Sequence, residues 1–243
     1  MYAARSRYQM TNVLSVPQAE RGPFLRLAGL WTFSGLLVAY TTGAISTTAV
    51  MLYPILLNRV LWIALFFVSF FVSHYLARAM VVTGPKLLGF VLGCAAEGVA
   101  LGYLLLFAVH DGAARFGAGG FGPYTLIGEA AGLTLLSSLG MVLWLWTQPR
   151  DLSIFRGLLF TASPGFLVLM VVNVSAPIGG LFGLAVGGGF VAVSAAGLLY
   201  NFNRALRELS CDQPLEAGYE IAMGILVLFW NILALLMRMA QRD

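Results

Sequence analysis

Long apolar runs alternate with short polar breaks along this chain, and the runs are longer than a soluble core needs. Residues 27–58 carry no charge. One crossing of a bilayer takes about 20 apolar residues, so this run is too long for one comfortable span and too short for two. The pattern predicts helix one over about 27–48, a short turn around Met51-Leu-Tyr-Pro54, and helix two over about 55–77. Arg59 then lies near one interface, where its stem can snorkel. Helix three is expected over about 86–109, and helix four over about 121–147, ending in Trp144 and Trp146 as an interfacial belt. Residues 157–203 form 47 consecutive positions without a charge. Ser175-Ala-Pro177-Ile-Gly-Gly180 divides them into helix five (about 155–174) and helix six (about 177–201), and helix seven follows over about 215–237. The reading is an all-α integral membrane protein with seven transmembrane helices. One domain covers residues 27–243, behind a polar arm of residues 1–26.

Composition sharpens this reading. Of 243 residues, 60% are hydrophobic and 10% charged, where soluble domains carry about 25% charged residues. That excludes a soluble globular enzyme and a disordered tail. The net charge is +4, with no basic stripe to follow a phosphate backbone, so no nucleic acid is expected as partner. The arm contains Arg5, Arg7, Pro17, Glu20, Arg21 and Arg26 without the apolar core of a cleavable signal. The first span is therefore expected to be an uncleaved anchor. With the arm inside, the inner segments hold ten of the 14 Lys and Arg residues and the outer side holds Arg59, Arg115, Arg238 and Arg242. The positive-inside rule then places the N-terminus in the cytoplasm and the C-terminus outside, in the cell (inner) membrane.

Chemistry-bearing motifs are scarce. Cys94 and Cys211 read as isolated thiols. His74 and His110 fall near helix ends and lack a Cys, Asp or Glu at metal spacing. There is no His-Glu-x-x-His and no Gly-x-Ser-x-Gly with a base, and Ser137-Ser138 reads as helix-packing glue. The expectation is no enzyme, no cofactor and no metal site. Glycines recur at four-residue spacing in the pairs Gly89/Gly93, Gly98/Gly102 and Gly128/Gly132 and the series Gly179, Gly183, Gly187. Such faces let helix backbones approach closely in lipid.

The informative residues are polar groups inside spans, which cost about 2.5–3.5 kcal/mol each when charged and so need a partner or a role. Glu97 is mid-helix three on a face of Gly93, Cys94 and Ala100; Glu129 is early in helix four, with Gly132 and Leu136 on its face. Glu216, Glu220, Gly224, Val227 and Asn231 share one stripe of helix seven, and Gly183, Gly187, Ser194, Gly197 and Asn201 share one of helix six. Asn173 ends helix five. Two such stripes facing each other would form a polar bundle centre. It reads either as an ion or proton pathway or as a structural hydrogen-bond network.

Four segments then carry a resemblance. They are Gly98-Val-Ala-Leu-Gly102-Tyr-Leu-Leu; Glu129-Ala-Ala-Gly132-Leu-Thr134, with Asp151-Leu-Ser-Ile-Phe155 22 residues after Glu129; Gly197-Leu-Leu-Tyr200-Asn201-Phe-Asn203; and Trp230-Asn231-Ile-Leu-Ala-Leu-Leu before the closing Arg242-Asp243. In order and spacing the chain resembles the Bax inhibitor-1 (transmembrane BAX inhibitor motif) family from about Arg26 to Asp243, most of all its bacterial YccA-like and YetJ-like members. The resemblance implies a bundle of seven helices with the last one central. It also implies calcium leak and ion homeostasis, or restraint of a membrane-anchored ATP-dependent protease, with the arm as the contact. Calcium-leaking members carry an aspartate pair on helices six and seven that interacts with an arginine of helix two. Here the pair's positions are Asn201 and Leu228, so the aspartate gate is degenerate. Arg78 stands where the arginine does and is expected to lack its acidic partner. Glu97, Glu129 and Glu220 are the candidates to replace the lost charge, with Asn201 and Asn231 offering carbonyl oxygens.

Overall fold

The computed structural model describes residues 13–53, 58–147 and 180–241. Among these the chain is helical, with no strand. Six helices in the described residues are long and apolar enough to cross a membrane. The expected helix five, with Asn173, lies outside the described residues.

α1 spans Gln18–Leu52. It starts well before residue 27 because Arg21 does not need to stay in water: its guanidinium donates to the carbonyls of Val16 (2.6 Å) and Leu14 (2.5 Å). α2 is one rod in three parts, Arg59–Phe71, a π-helical stretch Val72–Ala77, and Arg78–Thr83. Asn58 caps it by accepting from the amides of Val60 and Leu61, and Gly84-Pro85 ends it. α3 runs Lys86–Phe116, α4 Thr125–Thr147, α5 Gly180–Arg207 and α6 Pro214–Ala240.

α6 packs against α1, α3, α4, α5 and the Arg78–Thr83 end of α2. The apolar windows of α3 and α6 are 50% and 44% buried, against at most 22% in the other spans, so these two are the inner pair and the last helix is central. One apolar cluster joins Ala39, Phe90, Leu101, Tyr219 and Met223 across α1, α3 and α6. A second joins Ala108, Leu126, Leu198, Leu228 and Leu233 across α3, α4, α5 and α6. On the outside, Leu30, Phe33 and Leu37 of α1 and Leu135, Leu136 and Leu139 of α4 are exposed. Such a surface would aggregate in water and suits lipid.

The glycine faces divide. Gly98 lies so close to α1 that a Cβ would collide with Thr42 and the Ala39 carbonyl, and one at Gly89 would lie 2.6 Å from Met80. Gly128 and Gly132 have nothing within 4 Å of where a Cβ would sit. The expected close helix contact at Gly128 and Gly132 is therefore corrected: among the described residues nothing packs against that face of α4.

Candidate functional site

A short turn joins α5 to α6, so the last turns of one face the first turns of the other. Glu216 and Glu220 are four apart and share a face of α6. Arg204 of α5 reaches both: Nη2 is 3.3 Å from Glu216 Oε1, and Nη1 is in direct contact with Glu220 Oε1. Its Nε lies 3.4 Å from Glu208 Oε2. From the opposite side, Arg78 of α2 brings Nη2 to 3.0 Å from the same Glu220 oxygen. The Glu220 side chain is 7% exposed, while that of Arg78 is 53% exposed. The Arg204 arm of the clamp is partly buried and the Arg78 arm reaches the surface. Asn201 Nδ2 donates to the main-chain carbonyl of Glu220 at 2.9 Å, and Gln213 Nε2 donates to Glu216 Oε2 at 3.4 Å. Gly224 is needed one turn on, since a Cβ there would lie 2.9 Å from Leu198 Cδ1 and 3.0 Å from Asn201 Nδ2. Glu220 Oε2 is buried without a hydrogen-bond partner among the described residues. Two guanidiniums on one oxygen give charge-assisted bonds, which offset the cost of holding a carboxylate away from water.

A second polar group lies on the α2–α3 contact. Ser73 Oγ donates to Glu97 Oε2 at 2.9 Å and lies 2.9 Å from His74 Nδ1. The Tyr219 hydroxyl of α6 donates to the Ser73 carbonyl. The π-helical stretch prepares this, because its i→i+5 pairing takes a carbonyl out of the ordinary α-ladder. Gly93 makes room, for a Cβ there would collide with the Tyr219 hydroxyl. The Phe70 ring stacks on His74 at 4.4 Å.

Of the residues singled out from the sequence, Arg78, Asn201 and Glu220 come together. The expectation that Arg78 lacks an acidic partner is corrected: Glu220 is that partner, one helix over. Leu228 is 1% exposed inside the second apolar cluster, two turns past the place where an acid meets Arg78. Glu97 is buried, with Ser73 rather than the clamp. Glu129 is exposed on α4 and joins neither group. Asn231 donates to the Val227 carbonyl of its own helix at 2.9 Å, and among the described residues nothing pairs it with Asn201. The sequence reading missed Arg204, Ser73 and Tyr219, and it set His74 near a helix end, whereas His74 lies within the π-helical stretch of α2. Arg204 follows Asn201 by three positions, which puts it on the same helical face.

Helices of this length, apolar on the outside and gathered around a last helix that carries buried acids, define a multi-pass helical membrane protein. A family model described as Inhibitor of apoptosis-promoting Bax1 matches residues 24–242. The chain belongs to the Bax inhibitor-1 family. No curated protein matches it.

Proposed function

We propose that this chain is a cation leak of the cell (inner) membrane, acting in ion homeostasis rather than as an enzyme, and held shut by the Arg78–Glu220–Arg204 clamp. The observation that carries the reading is Glu220. It is buried within a span and bound by arginines of two neighbouring helices. Arg78 and Arg204 occupy the carboxylate that an arriving cation would otherwise meet. Release of both arginines, with the half-exposed Arg78 the more exposed of the two, leaves Glu220, Glu216 and the amide of Asn201 as hard oxygen ligands of the kind calcium prefers. Arg21, Arg26, Arg78, Lys86, Arg204 and Arg207 lie toward the end where α1 and α6 begin, and Arg115 and Arg238 toward the other. This supports a cytoplasmic clamp, with the N-terminus inside and the C-terminus outside.

Purified protein in liposomes loaded with a calcium dye tests the reading. Wild type is expected to leak slowly and Arg78→Gln several-fold faster, because it removes one of the two arginines on the Glu220 carboxylate. Wild-type and Arg78→Gln vesicles that both match protein-free vesicles would overturn it.

A further inference from the structure

We infer that His74, Ser73 and Glu97 form a proton-binding relay at the α2–α3 contact, separate from the clamp, with the proton as its ligand and the Glu97 carboxyl as its end point. The relay rests on its own geometry; only its coupling to cation flux rests on the leak reading above.

The order of the three groups decides the chemistry. In a hydrolase the imidazole sits between hydroxyl and carboxylate and activates the hydroxyl. Here the hydroxyl is in the middle, 2.9 Å from each neighbour. A serine so placed hands protons on. With Glu97 ionised, the Ser73 hydroxyl donates to Glu97 Oε2, and His74 fills the other side of Ser73 Oγ with its Nδ1–H. When His74 takes a second proton from outside, its Nδ1 proton passes to Ser73 Oγ while the Ser73 proton passes to Glu97. His74 is left neutral and Glu97 becomes a carboxylic acid. The Phe70 carbonyl, 3.2 Å from Ser73 Oγ, can accept the hydroxyl while Glu97 holds its proton, so Ser73 has a resting acceptor in both states. His74 is partly exposed, whereas Ser73 and Glu97 are buried. The chain therefore leads from a partly exposed ring to an enclosed acid.

The groups facing Glu97 are few. α2 gives Ser73 and His74, with Arg78 about one turn on; α3 gives Cys94; α6 gives Tyr219, with Glu220 beside it. Among the described residues Glu97 bonds to Ser73, while the ion pairs of Arg78 and Arg204 go to Glu208, Glu216 and Glu220. Tyr219 connects relay and clamp. Its hydroxyl holds the Ser73 carbonyl, and the next residue is Glu220. A change of charge at Glu97 is thus felt on the two helices that Arg78 and Glu220 tie together.

Infrared difference spectra of purified protein in nanodiscs, recorded across an acidification step, read the site without any flux. Wild type is expected to gain a carboxylic-acid C=O band. Glu97→Gln should lose it, Ser73→Ala should reduce and slow it, Glu97→Asp should restore it at a shifted position, and Arg78→Gln should keep it. The near-ultraviolet dichroism of each variant checks that it is folded. Absence of the band in wild type, or its survival in folded Glu97→Gln, would overturn the relay. If the band behaves as expected while Arg78→Gln liposomes carry no calcium, the relay stands and the leak reading falls. If the liposomes leak and Glu97→Gln keeps its band, the reverse holds.

Discussion

α3 and α4 carry the same devices in sequence and use them differently. Each has glycines four apart, and each has a single glutamate next to a glycine, Glu97-Gly98 in one and Gly128-Glu129 in the other. On α3 the glycines press against α1 and α2, the glutamate is buried, and hydroxyls of α1 bond across to the α3 backbone: Ser46 to the Val99 carbonyl at 3.1 Å and Thr47 to the Gly102 carbonyl at 2.9 Å. On α4, among the described residues, a Cβ at the corresponding glycines would meet nothing within 4 Å, the glutamate is exposed, and Thr134 and Ser138 bond to carbonyls of their own helix. A small residue permits close approach; it does not bring a partner. The partner on α3 is α1, whose Ala39, Thr42 and Ser46 offer short side chains at matching heights.

The largest contrast is steric. Gly98→Leu must push α1 away from α3, because even a Cβ collides with backbone there. A loss above about 4 kcal/mol, enough to prevent recovery of folded protein, is expected from overpacking of this severity. A Cβ at Gly132 meets nothing within 4 Å among the described residues, so Gly132→Leu should change stability by no more than about 0.5 kcal/mol. Thermal unfolding followed by size-exclusion fluorescence in detergent compares the two. Equal losses would remove the distinction between the packed and the open face.

The next contrast is electrostatic. Glu97→Lys places an ammonium in a closed slot next to His74 and within about a turn of Arg78, and should cost about 3 kcal/mol. Glu129→Lys keeps a flexible stem on an exposed face from which the charge can snorkel, and should stay within about 0.5 kcal/mol. The same unfolding assay reads both. A tolerant position 97 would mean that its surroundings are wetter than the packing of Ser73 and Tyr219 implies.

These contrasts also mark what the amino-acid pattern could say. The spans were legible because lipid forbids charge along their length, and the missing charges at 27–58 and 157–203 are direct records of that rule. Their ends were less so. Arg21 looks like an arm residue until its guanidinium is seen to be satisfied by the carbonyls of Leu14 and Val16. Asn201 and Glu220 were legible as members of polar stripes, but not the arginines that claim Glu220, since Arg78 comes from a distant helix. Nor did periodicity separate Glu97 from Glu129, because both sit on small-residue faces and the deciding neighbours lie elsewhere in the chain. The π-helical stretch at Val72–Ala77 leaves no mark on a hydropathy pattern, so Ser73 and the carbonyl it offers Tyr219 had no signal at all.

The smallest contrast isolates hydrogen bonding from packing. Thr47 Oγ1 lies 2.9 Å from the Gly43 carbonyl of its own helix and 2.9 Å from the Gly102 carbonyl of α3, so one proton is shared between two acceptors. Valine keeps the shape of threonine and removes that proton. In Thr47→Val the Gly102 carbonyl retains its place in the α3 ladder and loses only a second donor, which in a membrane bundle is worth about 0.6 kcal/mol. Thr134→Val removes a bond of 2.7 Å to Ala130, a carbonyl already engaged in the α4 ladder, and no neighbouring helix loses anything. It should therefore be neutral within error. Equilibrium unfolding in mixed micelles resolves a difference of this size if both variants are measured against the same wild-type curve. A loss at Thr134 matching that at Thr47 would show that threonine stabilises these helices from within, and that the cross-helix bonds of α3 follow from its packing without adding to it.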